Sequence, residues 1–309
     1  MQARTIRIGT RGSPLALAQA HETRARLVAA HGLPDAAIEI RVFKTTGDII
    51  VDRPLADVGG KGLFTKEIEE ALIAREVDLA VHSMKDMQTV LPAGLAIGAV
   101  LPREDVRDAF ISLDYASLAA LPEGAIVGTS SLRRQAQVKR VRPDLKVVDF
   151  RGNVQTRLRK LAEGVAHATL LACAGLNRLG LADRITAALE IDQMLPAVAQ
   201  GAIALEIRED DEETARLIAP LNHEHTSLCV TAERAFLTRL EGSCRTPIAG
   251  HAVLEAGSIL LRGMTFSPDG SECFEAVTRG AASDGARLGT EAADNLLARG
   301  AHVFPARRG

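Results

Sequence analysis

The strongest constraint on the fold is an alternation of apolar strand-like segments and helix-like segments through residues 5–101. Strands are predicted at residues 5–10, 38–45, 79–82 and 95–101. One helix is predicted to begin at Ser13-Pro14, which provides an N-cap and a proline at the first helical position. A second helix follows a glycine-rich segment at 58–62. Strands that alternate with helices are typical of a parallel α/β sheet, so these residues are predicted to form one α/β lobe.

The pattern recurs after a polar crossing at residues 102–105, which leads into a second predicted α/β lobe. Its strands are predicted at residues 125–128, 147–150 and 169–173. A second crossing at 196–201 leads to an apolar strand at 203–207 that has no local partner. Beyond Pro220 the pattern predicts a helix near 226–240, strands near 248–255, 258–264 and 273–279, and a closing helix that ends at Arg299. The tail is therefore predicted to be a small α+β domain.

Composition restricts the class of protein. The chain has 309 residues, of which 47% are hydrophobic, and this is enough for two or three cores. A formal net charge of −2 argues against a nucleic-acid-binding surface, and no apolar run approaches the ~18 residues of a membrane span. The first residues enter a strand without the apolar region of a signal peptide, and no two cysteines form a Cys-x-x-Cys pair. We expect a cytoplasmic protein without nucleic-acid or membrane partners.

Two arginines lie at an unusual place, the first turn of a helix predicted at residues 132–141. The segment before this helix, Thr129-Ser130-Ser131, carries hydroxyl groups that can cap it. A helix N-terminus already carries partial positive charge, so Arg133 and Arg134 are unfavourable there unless an anion is also present. A solvated basic face is the alternative interpretation. The position of the pair favours an anion-binding pocket.

The same arrangement follows the strand predicted at residues 147–150. Arg151, Gly152 and Asn153 come directly after this strand, and Arg157 lies in the first turns of the next helix. The carboxyl ends of parallel strands meet at one edge of a sheet, where ligands bind in α/β proteins. The sequence therefore predicts a pocket for a polycarboxylate or a phosphate at that edge.

Asp86 and Cys244 are the two candidates for residues that take a direct part in a reaction. Asp86 follows the strand predicted at 79–82, where a carboxylate can protonate a leaving group, although a helix-capping role is the alternative. The adjacent Lys85 is suited either to a Schiff base or to holding a carboxylate. Cys244 lies in a loop beside Arg245, whose charge favours the thiolate, although an incidental loop cysteine is the alternative. The other three cysteines, Cys173, Cys229 and Cys273, are predicted to pack in strands and helices.

No metal site is predicted. His223 and His225 form a pair of potential ligands on either side of Glu224, but no third ligand is evident near them in the sequence.

Six segments appear together in an order that resembles the porphobilinogen deaminase (hydroxymethylbilane synthase) family. They are TRGSPLA (10–16), VGGKGLF (58–64), HSMKD (82–86), GTSSLRR (128–134), DFRGNV (149–154) and EGSC (241–244). Each segment alone is weakly diagnostic. Six in register, spanning nearly the whole chain, are highly specific.

The resemblance implies an α/β fold with two lobes like those of type II periplasmic binding proteins and a small C-terminal α+β domain with a three-stranded antiparallel sheet. It assigns residues 1–101 and 202–219 to the first domain, 106–196 to the second and 222–309 to a cofactor-attachment domain. The strand at 203–207 is expected to return and complete the first domain. Two such lobes are expected to form a cleft at the carboxyl ends of their strands, and the segment 47–62 is expected to form a mobile flap over this cleft.

The resemblance also implies a reaction. The family joins four porphobilinogen molecules head to tail on a dipyrromethane primer, releases four ammonia molecules and frees hydroxymethylbilane by hydrolysis, a transferase step of haem and tetrapyrrole biosynthesis. The primer is expected to be attached through a thioether to Cys244. Asp86 is expected to protonate the departing amine and to stabilise the cationic azafulvene and the pyrrole N–H groups. A monomer, and a hand-over of the product to uroporphyrinogen III synthase, are further expectations.

The remaining site residues are expected to hold a pyrrole chain that carries an acetate and a propionate on each ring. The residues expected to bind the cofactor are Ser83, Lys85, Thr129, Ser130, Ser131, Arg133, Arg134, Arg151, Gly152 and Arg157. The residues expected to bind the substrate are Arg11, Ser13, Lys61 and Arg178.

Two positions depart from the family pattern. Gln88 stands where the family usually has proline, which predicts a less rigid loop behind Asp86. Ala199 stands where glycine is usual, in the second crossing, which predicts an altered domain movement. Neither departure changes a residue to which chemistry is assigned.

Two other functions fit part of the pattern. A solute-binding protein would use the same lobes and arginine pocket without catalysis, but it would have no need of the Cys244 domain. A pyridoxal-phosphate enzyme would use Lys85 as its Schiff-base lysine and residues 130–134 as a phosphate-binding turn.

Overall fold

The computed structural model describes residues 5–49, 62–243 and 246–301. These residues form two compact units. The first comprises residues 5–49, 62–104 and 202–227, and the second comprises residues 105–201, 228–243 and 246–301. The chain thus leaves the first unit after residue 104 and returns to it at residue 202. In the part of the chain that is described, no helix combines the length and the apolar character that crossing a membrane requires.

The helices and strands alternate along most of the chain. Residues 5–104 contain β1 (Ile6–Arg11), α1 (Pro14–His31), β2 (Ile38–Phe43), α2 (Thr46–Ile49), α3 (Lys66–Ile73), β3 (Leu79–Ser83) and β4 (Leu95–Val100). Residues 105–201 contain β5 (Asp108–Ile111), β6 (Ile126–Gly128), α4 (Leu132–Val141), β7 (Lys146–Val148), α5 (Val154–Ala162), β8 (Ala168–Ala172), α6 (Cys173–Arg178) and β9 (Ala187–Leu189). The remainder contains β10 (Ile203–Arg208), α7 (Glu212–Ile218), α8 (Glu224–Arg239), β11 (Ile248–Glu255), β12 (Ser258–Phe266), β13 (Cys273–Ala281) and α9 (Gly285–Ala298).

The first unit is built on a five-stranded sheet in the order β2-β1-β3-β10-β4. The pairs β1–β2 and β1–β3 are parallel, and β10 is antiparallel to both β3 and β4. The four strands of residues 5–101 therefore run in one direction, as predicted. The orphan strand at 203–207 does return to this sheet, but it runs in the opposite direction and separates β3 from β4. All six residues of β10 are buried, which explains why it is apolar throughout most of its length.

The second unit contains a sheet of the same form, in the order β7-β6-β8-β5-β9. Its strands β7, β6 and β8 are parallel, and β5 is antiparallel to both β8 and β9. Each five-stranded sheet thus has one reversed strand in the fourth position, and that strand is the first one after a crossing. Neither β5 nor β9 was predicted, because these strands of four and three residues are not followed by the turn and helix signals that marked the equally short β6 and β7.

Local sequence explains where the helices begin. Ser13 caps α1, where its Oγ accepts a hydrogen bond from Ala16 N at 3.3 Å and Pro14 follows it. Ser131 caps α4 through Arg134 N at 3.4 Å, and Asn153 caps α5 through Thr156 N at 2.9 Å. The predicted helix bounds at 132–141 are confirmed. Cys173 is a correction, since it begins α6 and does not end β8.

The C-terminal sheet is an antiparallel meander of β11, β12 and β13. Helices α8 and α9 accompany it, and the predicted turn at 267–270 closes with a 2.9 Å hydrogen bond from Gly270 N to Ser267 O. The helix α8 lies so close to β12 that a Cβ on Gly263 would stand 2.5 Å from Phe236 Cζ. The predicted small α+β portion is therefore confirmed in its elements and their order.

The turn between β11 and β12 generates a prediction about stability. It has two residues, Ala256 and Gly257, with φ of +49° and +77°. A two-residue hairpin turn with both φ positive favours Asn-Gly, because a Cβ-bearing residue other than Asn, Asp or His is strained there. The variant Ala256→Asn is therefore expected to raise the free energy of unfolding by about 0.5 kcal/mol or more, measured as the midpoint of urea unfolding.

The matched control is Ala256→Val, which places a β-branched side chain in the same exposed turn and is expected to lower the midpoint. If valine stabilised the protein as much as asparagine, backbone strain would not be the cause.

Candidate active site

In the first unit, the predicted site residues gather at the carboxyl ends of two neighbouring strands. Arg11 is the last residue of β1, Ser83 is the last residue of β3, and β1 pairs with β3. Asp86 follows in a 3-10 turn, Met84–Asp86. A pocket at this edge is lined by Arg11, Ser13, Gln19, Phe64, Thr65, His82, Ser83 and Asp86, together with apolar residues. The structure therefore brings four of the predicted residues, Arg11, Ser13, Ser83 and Asp86, around one pocket.

The turn that carries Asp86 is anchored on both sides. Met84 N donates to Ala202 O at 3.0 Å, which ties the start of the turn to the residue before β10. Ser83 Oγ lies 2.9 Å from Gln19 Nε2, so α1 holds the end of β3. Asp86 and Lys85 are both half-buried. Gln19 was missed from sequence, because a glutamine on a helix gives no signal of a contact 64 residues away.

Arg11 is held by two residues that sequence reasoning also missed. Its guanidinium forms an ion pair with Asp48 on α2 and lies 4.3 Å from the centre of the Phe64 ring. Burial disfavours the Asp48 carboxylate, but hydrogen bonds from Arg11 and Thr45 outweigh it, so the pKa of Asp48 is lowered. An incoming carboxylate that binds Arg11 has to compete with Asp48.

A buried charged cluster lies behind the same pocket. His82 Nε2 is 3.1 Å from Glu206 Oε2, and Glu206, on β10, is fully buried. Burial raises the pKa of Glu69, on α3, and the neighbouring Glu206 carboxylate raises it further, while hydrogen bonds to Glu69 and the charge of His82 oppose the increase. Gln88, two residues after Asp86, is one of the groups that lower this pKa.

In the second unit, the predicted arginines follow three adjacent parallel strands. Arg133 and Arg134 follow β6, Arg151 and Arg157 follow β7, and Arg178 ends the helix after β8. Four of these arginines, Arg133, Arg134, Arg151 and Arg157, therefore follow the carboxyl ends of two neighbouring strands, as the strand pattern predicted. Arg178, which was expected only from the family resemblance, is the last residue of the helix after the third strand. Arg178 Nη2 donates to Gly201 O at 3.0 Å, at the end of the second crossing.

Arg133 and Arg134 already have an anionic partner within the chain. Both are almost fully buried, with 4% and 5% of their surface exposed, and both bind the fully buried Asp108 on β5. The distances are 2.6 Å from Arg133 Nη1 to Asp108 Oδ2 and 2.7 Å from Arg134 Nη2 to Oδ1. Burial alone would raise the pKa of Asp108, but the two arginines hold it far below its usual range.

Because Arg133 and Arg134 are buried, they do not form a solvated basic face. The expectation that only an external anion would compensate their charge is corrected, since Asp108 of the same chain compensates part of it. Two cations and one carboxylate leave a net positive charge in the cluster. Arg133 Nε is buried and has no hydrogen-bond partner among the described residues. Asp108 was missed because the strand that it begins was missed.

The remaining predicted residues lie in or beside the loops at the carboxyl-end edge of the second unit's sheet. Ser130 Oγ accepts from Phe150 N at 3.0 Å, which joins the loop before α4 to the loop before α5. Thr129 Oγ1 accepts from Ser131 N at 3.2 Å. Gly152 has a φ of +114°, and its carbonyl accepts from Arg157 Nε at 2.9 Å. Arg157 is thereby bent back towards the loop that carries Arg151.

Some predictions fall outside the described residues. These are Lys61, Cys244 and most of the predicted flap at 47–62. Among the residues that are described, no three His, Cys, Asp or Glu side chains are placed to hold a metal ion. His223 instead accepts a hydrogen bond from Thr226 N at 3.3 Å, as expected of a residue at a helix start. Cys173 and Cys229 are buried, and Cys273 is half-buried.

Fold and site together define a two-lobed α/β protein with basic and hydroxyl side chains at the carboxyl ends of strands in both five-stranded sheets. The family model described as "Porphobilinogen deaminase, dipyromethane cofactor binding domain" matches residues 6–216, and "Porphobilinogen deaminase, C-terminal domain" matches residues 227–298. The chain belongs to the porphobilinogen deaminase family, which confirms the predicted resemblance.

Members of this family are hydroxymethylbilane synthases, transferases of porphyrin biosynthesis whose substrate is porphobilinogen. The predicted enzyme class and reaction are thereby confirmed, and the solute-binding and pyridoxal-phosphate alternatives are set aside.

Individual relatives agree along nearly the whole chain. A porphobilinogen deaminase of Paracoccus denitrificans is 61% identical over 294 residues, covering 95% of this chain and 94% of that protein. The chloroplastic porphobilinogen deaminase of Pisum sativum is 57% identical over 305 residues, covering 97% of this chain and 83% of that protein.

Solved structures show a more distant likeness. The methionine-binding protein MetQ is 14% identical with a TM-score of 0.45, covering 70% of this chain and 89% of that chain. A periplasmic binding protein of Salmonella typhimurium with high arginine specificity is 11% identical with a TM-score of 0.40, covering 73% of this chain and 94% of that chain. The confirmed fold class rests on the strand orders of the three sheets.

The ion pair at Arg11 generates a prediction about pH. Because the pKa of Asp48 is lowered in the folded protein, its stabilising contribution is present above the unfolded pKa of about 4 and is lost as pH falls through the folded pKa. The variant Asp48→Asn is therefore expected to lower the free energy of unfolding at pH 7 by up to about 1 kcal/mol, and by less at about pH 3. Urea unfolding at the two pH values measures the difference.

Glu70→Gln is the control, since it removes an exposed charge 3.7 Å from Lys66 and is expected to change little at either pH. An equal loss at both pH values in Asp48→Asn would show that the charge of Asp48 contributes nothing.

Proposed function

We propose that this chain joins four porphobilinogen molecules head to tail on a dipyrromethane primer attached through a thioether to Cys244, and then releases hydroxymethylbilane by hydrolysis. The observation that carries the proposal is the position of Asp86, which shares one pocket with Arg11, Ser13 and Ser83. A carboxylate among groups suited to bind carboxylates matches a substrate that has both an amine leaving group and two acidic side chains.

The donor set of the second unit fits the primer. Each pyrrole ring carries an acetate and a propionate, so the ligand needs several cationic or hydroxyl donors. The arginines after β6, β7 and β8 and the hydroxyl groups of residues 129–131 supply them. Arg133 Nε, which has no hydrogen-bond partner among the described residues, is a buried donor that still requires an acceptor. When bound, the dipyrromethane supplies the terminal pyrrole carbon to which the first porphobilinogen is joined.

Asp86 is proposed to act on the substrate. It donates a proton to the departing amine and then, as a carboxylate, stabilises the positive charge left on the pyrrole. Arg11 and Ser13 orient the acetate and propionate, and the turn fixed by Met84 and Gln19 keeps Asp86 in place. Lys85, Lys61, Arg151, Gly152, Arg157 and Arg178 are proposed to hold the growing chain.

The organisation of the protein is part of the proposal. We assign three domains, at residues 1–101 with 202–219, at 106–196 and at 222–309, which is supported by three separate sheets. A cytoplasmic monomer that hands its product to uroporphyrinogen III synthase is the corresponding cellular arrangement.

The first experiment is the intact mass of the purified protein, with peptide mapping around Cys244. Wild-type protein is expected to exceed its sequence mass by one dipyrromethane on the Cys244 peptide. The variant Cys244→Ser is expected to fold but to show the bare mass and no turnover, because serine cannot form the thioether. Cys273→Ser, which alters a half-buried cysteine on β13, is the control and is expected to keep the adduct. A fully active Cys244→Ser variant would contradict attachment of the primer to Cys244.

Asp86→Asn separates primer attachment from turnover. This variant is expected to retain the dipyrromethane mass while its kcat falls by roughly 10²-fold or more, because the amide cannot donate the proton or balance the cation. The rate of porphobilinogen consumption measures kcat. Asp35→Asn, at an exposed aspartate in another 3-10 turn of the same unit, is expected to behave as wild type. Wild-type turnover in Asp86→Asn would remove Asp86 from the chemistry.

A further inference from the structure

The second crossing contacts the arginine cluster at both of its ends. At the residue just before its start, Arg133 Nη1 donates to Leu195 O at 2.9 Å. At its end, Arg178 Nη2 donates to Gly201 O at 3.0 Å. Two arginines from different helices therefore use backbone carbonyls of one short segment, residues 195–201, as acceptors.

Gln200 connects the same segment to the carboxylate of the cluster. Its side chain is fully buried, and Nε2 donates to Val106 O at 2.8 Å and to Asp108 Oδ1 at 2.9 Å. The other donors to Oδ1 are the guanidinium groups of Arg133 and Arg134. Gln200 is therefore a neutral donor on an oxygen that two cations share, and it fixes the plane of the carboxylate.

The backbone beside Gln200 is itself held firmly. Ala199 has a φ of +59°, and its N–H donates to Glu233 Oε2 at 2.6 Å. The other oxygen, Glu233 Oε1, accepts from Ala252 N of β11 at 2.7 Å. Glu233 is fully buried on α8, so its carboxylate locks Ala199 in a left-handed conformation that alanine rarely adopts. This fixed backbone sets the direction in which Gln200 leaves the chain.

We propose that Gln200 is a positioning residue for the arginine pair. It holds Asp108 in one orientation, Asp108 holds the guanidinium planes of Arg133 and Arg134, and the pair is thereby preorganised for the carboxylates of the pyrrole chain. The role of the pair as carboxylate ligands rests on the proposed function, whereas the effect of Gln200 on the two guanidinium groups does not.

The test compares Gln200→Leu with Gln137→Leu. Gln137 is a matched control, because it is a buried glutamine on α4 that makes two hydrogen bonds to the same crossing, Nε2 to Leu195 O at 2.9 Å and Oε1 from Leu195 N at 2.8 Å. Gln137 Nε2 also donates to the backbone O of Arg133 at 3.5 Å, but among the described residues Gln137 makes no hydrogen bond to Asp108. Both variants lose buried hydrogen bonds and are expected to show similar decreases in Tm.

The first readout is chemical and needs no activity. Phenylglyoxal modifies accessible guanidinium groups, and peptide mapping gives the rate at Arg133 and Arg134. Gln200→Leu is expected to increase this rate several-fold relative to wild type and to Gln137→Leu, because Asp108 can then reorient. Equal rates in the two variants would overturn the proposal.

The second readout is kinetic. The pyrrole chain that the arginine pair is proposed to hold is the acceptor to which each porphobilinogen is joined, so Gln200→Leu is expected to raise KM for porphobilinogen about tenfold. The value of kcat is expected to change by less than about threefold, because Asp86 lies on the other unit and is unaltered. Gln137→Leu is expected to leave KM near the wild-type value. A KM that rises equally in both variants would assign Gln200 a merely structural role. Absence of turnover and of the dipyrromethane mass in wild type would refute the proposed function, while the phenylglyoxal rates would still decide the role of Gln200.

Discussion

The ion cluster of Asp108 with Arg133 and Arg134 is the interaction around which the second unit is organised. Three charged groups with at most 5% of their surface exposed would each cost several kcal/mol without partners, so the cluster is stable only when all three are present and hydrogen-bonded. Arg133 and Arg134 also donate to Leu195 O and Leu170 O. One cluster therefore joins β5, α4, β8 and the second crossing. Apolar side chains around Phe110, Val127 and Leu170 pack on one side of the sheet. Apolar contacts are not directional, whereas the hydrogen bonds of the cluster fix the orientation of the groups that they join.

The same cluster shows where reasoning from sequence succeeds and where it stops. The caps and bounds of α1 and α4 and the three C-terminal strands were predictable, because each depends on neighbouring residues and on periodicity. The return of residues 203–207 was predictable for another reason, because this apolar strand has no partner near it in the sequence. Asp108 was not, because its partners lie 25 and 26 residues away and it begins a strand of only four residues. The direction of β10 was also hidden, since a fully buried strand has the same apolar pattern whichever way it runs.

The candidate site divides in the same way. The strand pattern placed polar side chains after β1, β3, β6 and β7, and the structure brings them to the carboxyl-end edges of two sheets. The residues that hold them, Asp48, Gln19 and Gln200, came only from the structure, because long-range hydrogen bonds leave no local pattern. Charge compensation by Asp48 and Asp108 has a common consequence. Asp48 and Asp108 each orient the nearby arginines before a ligand binds. The side chains then lose less conformational entropy on binding, so the free-energy cost of ordering them is smaller.

The position of β10 affects how the chain can fold during synthesis. The sheet of the first unit is interrupted between β3 and β4 until residues 203–208 have been made, about one hundred residues after β4. The apolar residues Ile203, Leu205 and Ile207 belong to the same core as Ile8 and Leu79, so this core lacks its middle until then. Such long-range pairing slows folding and leaves two strand edges open in the nascent chain. The second lobe, whose strands all lie within residues 108–189, can close its sheet first. We therefore expect the second lobe to complete its sheet before the first lobe does, although the chain of the first lobe begins to be synthesised earlier.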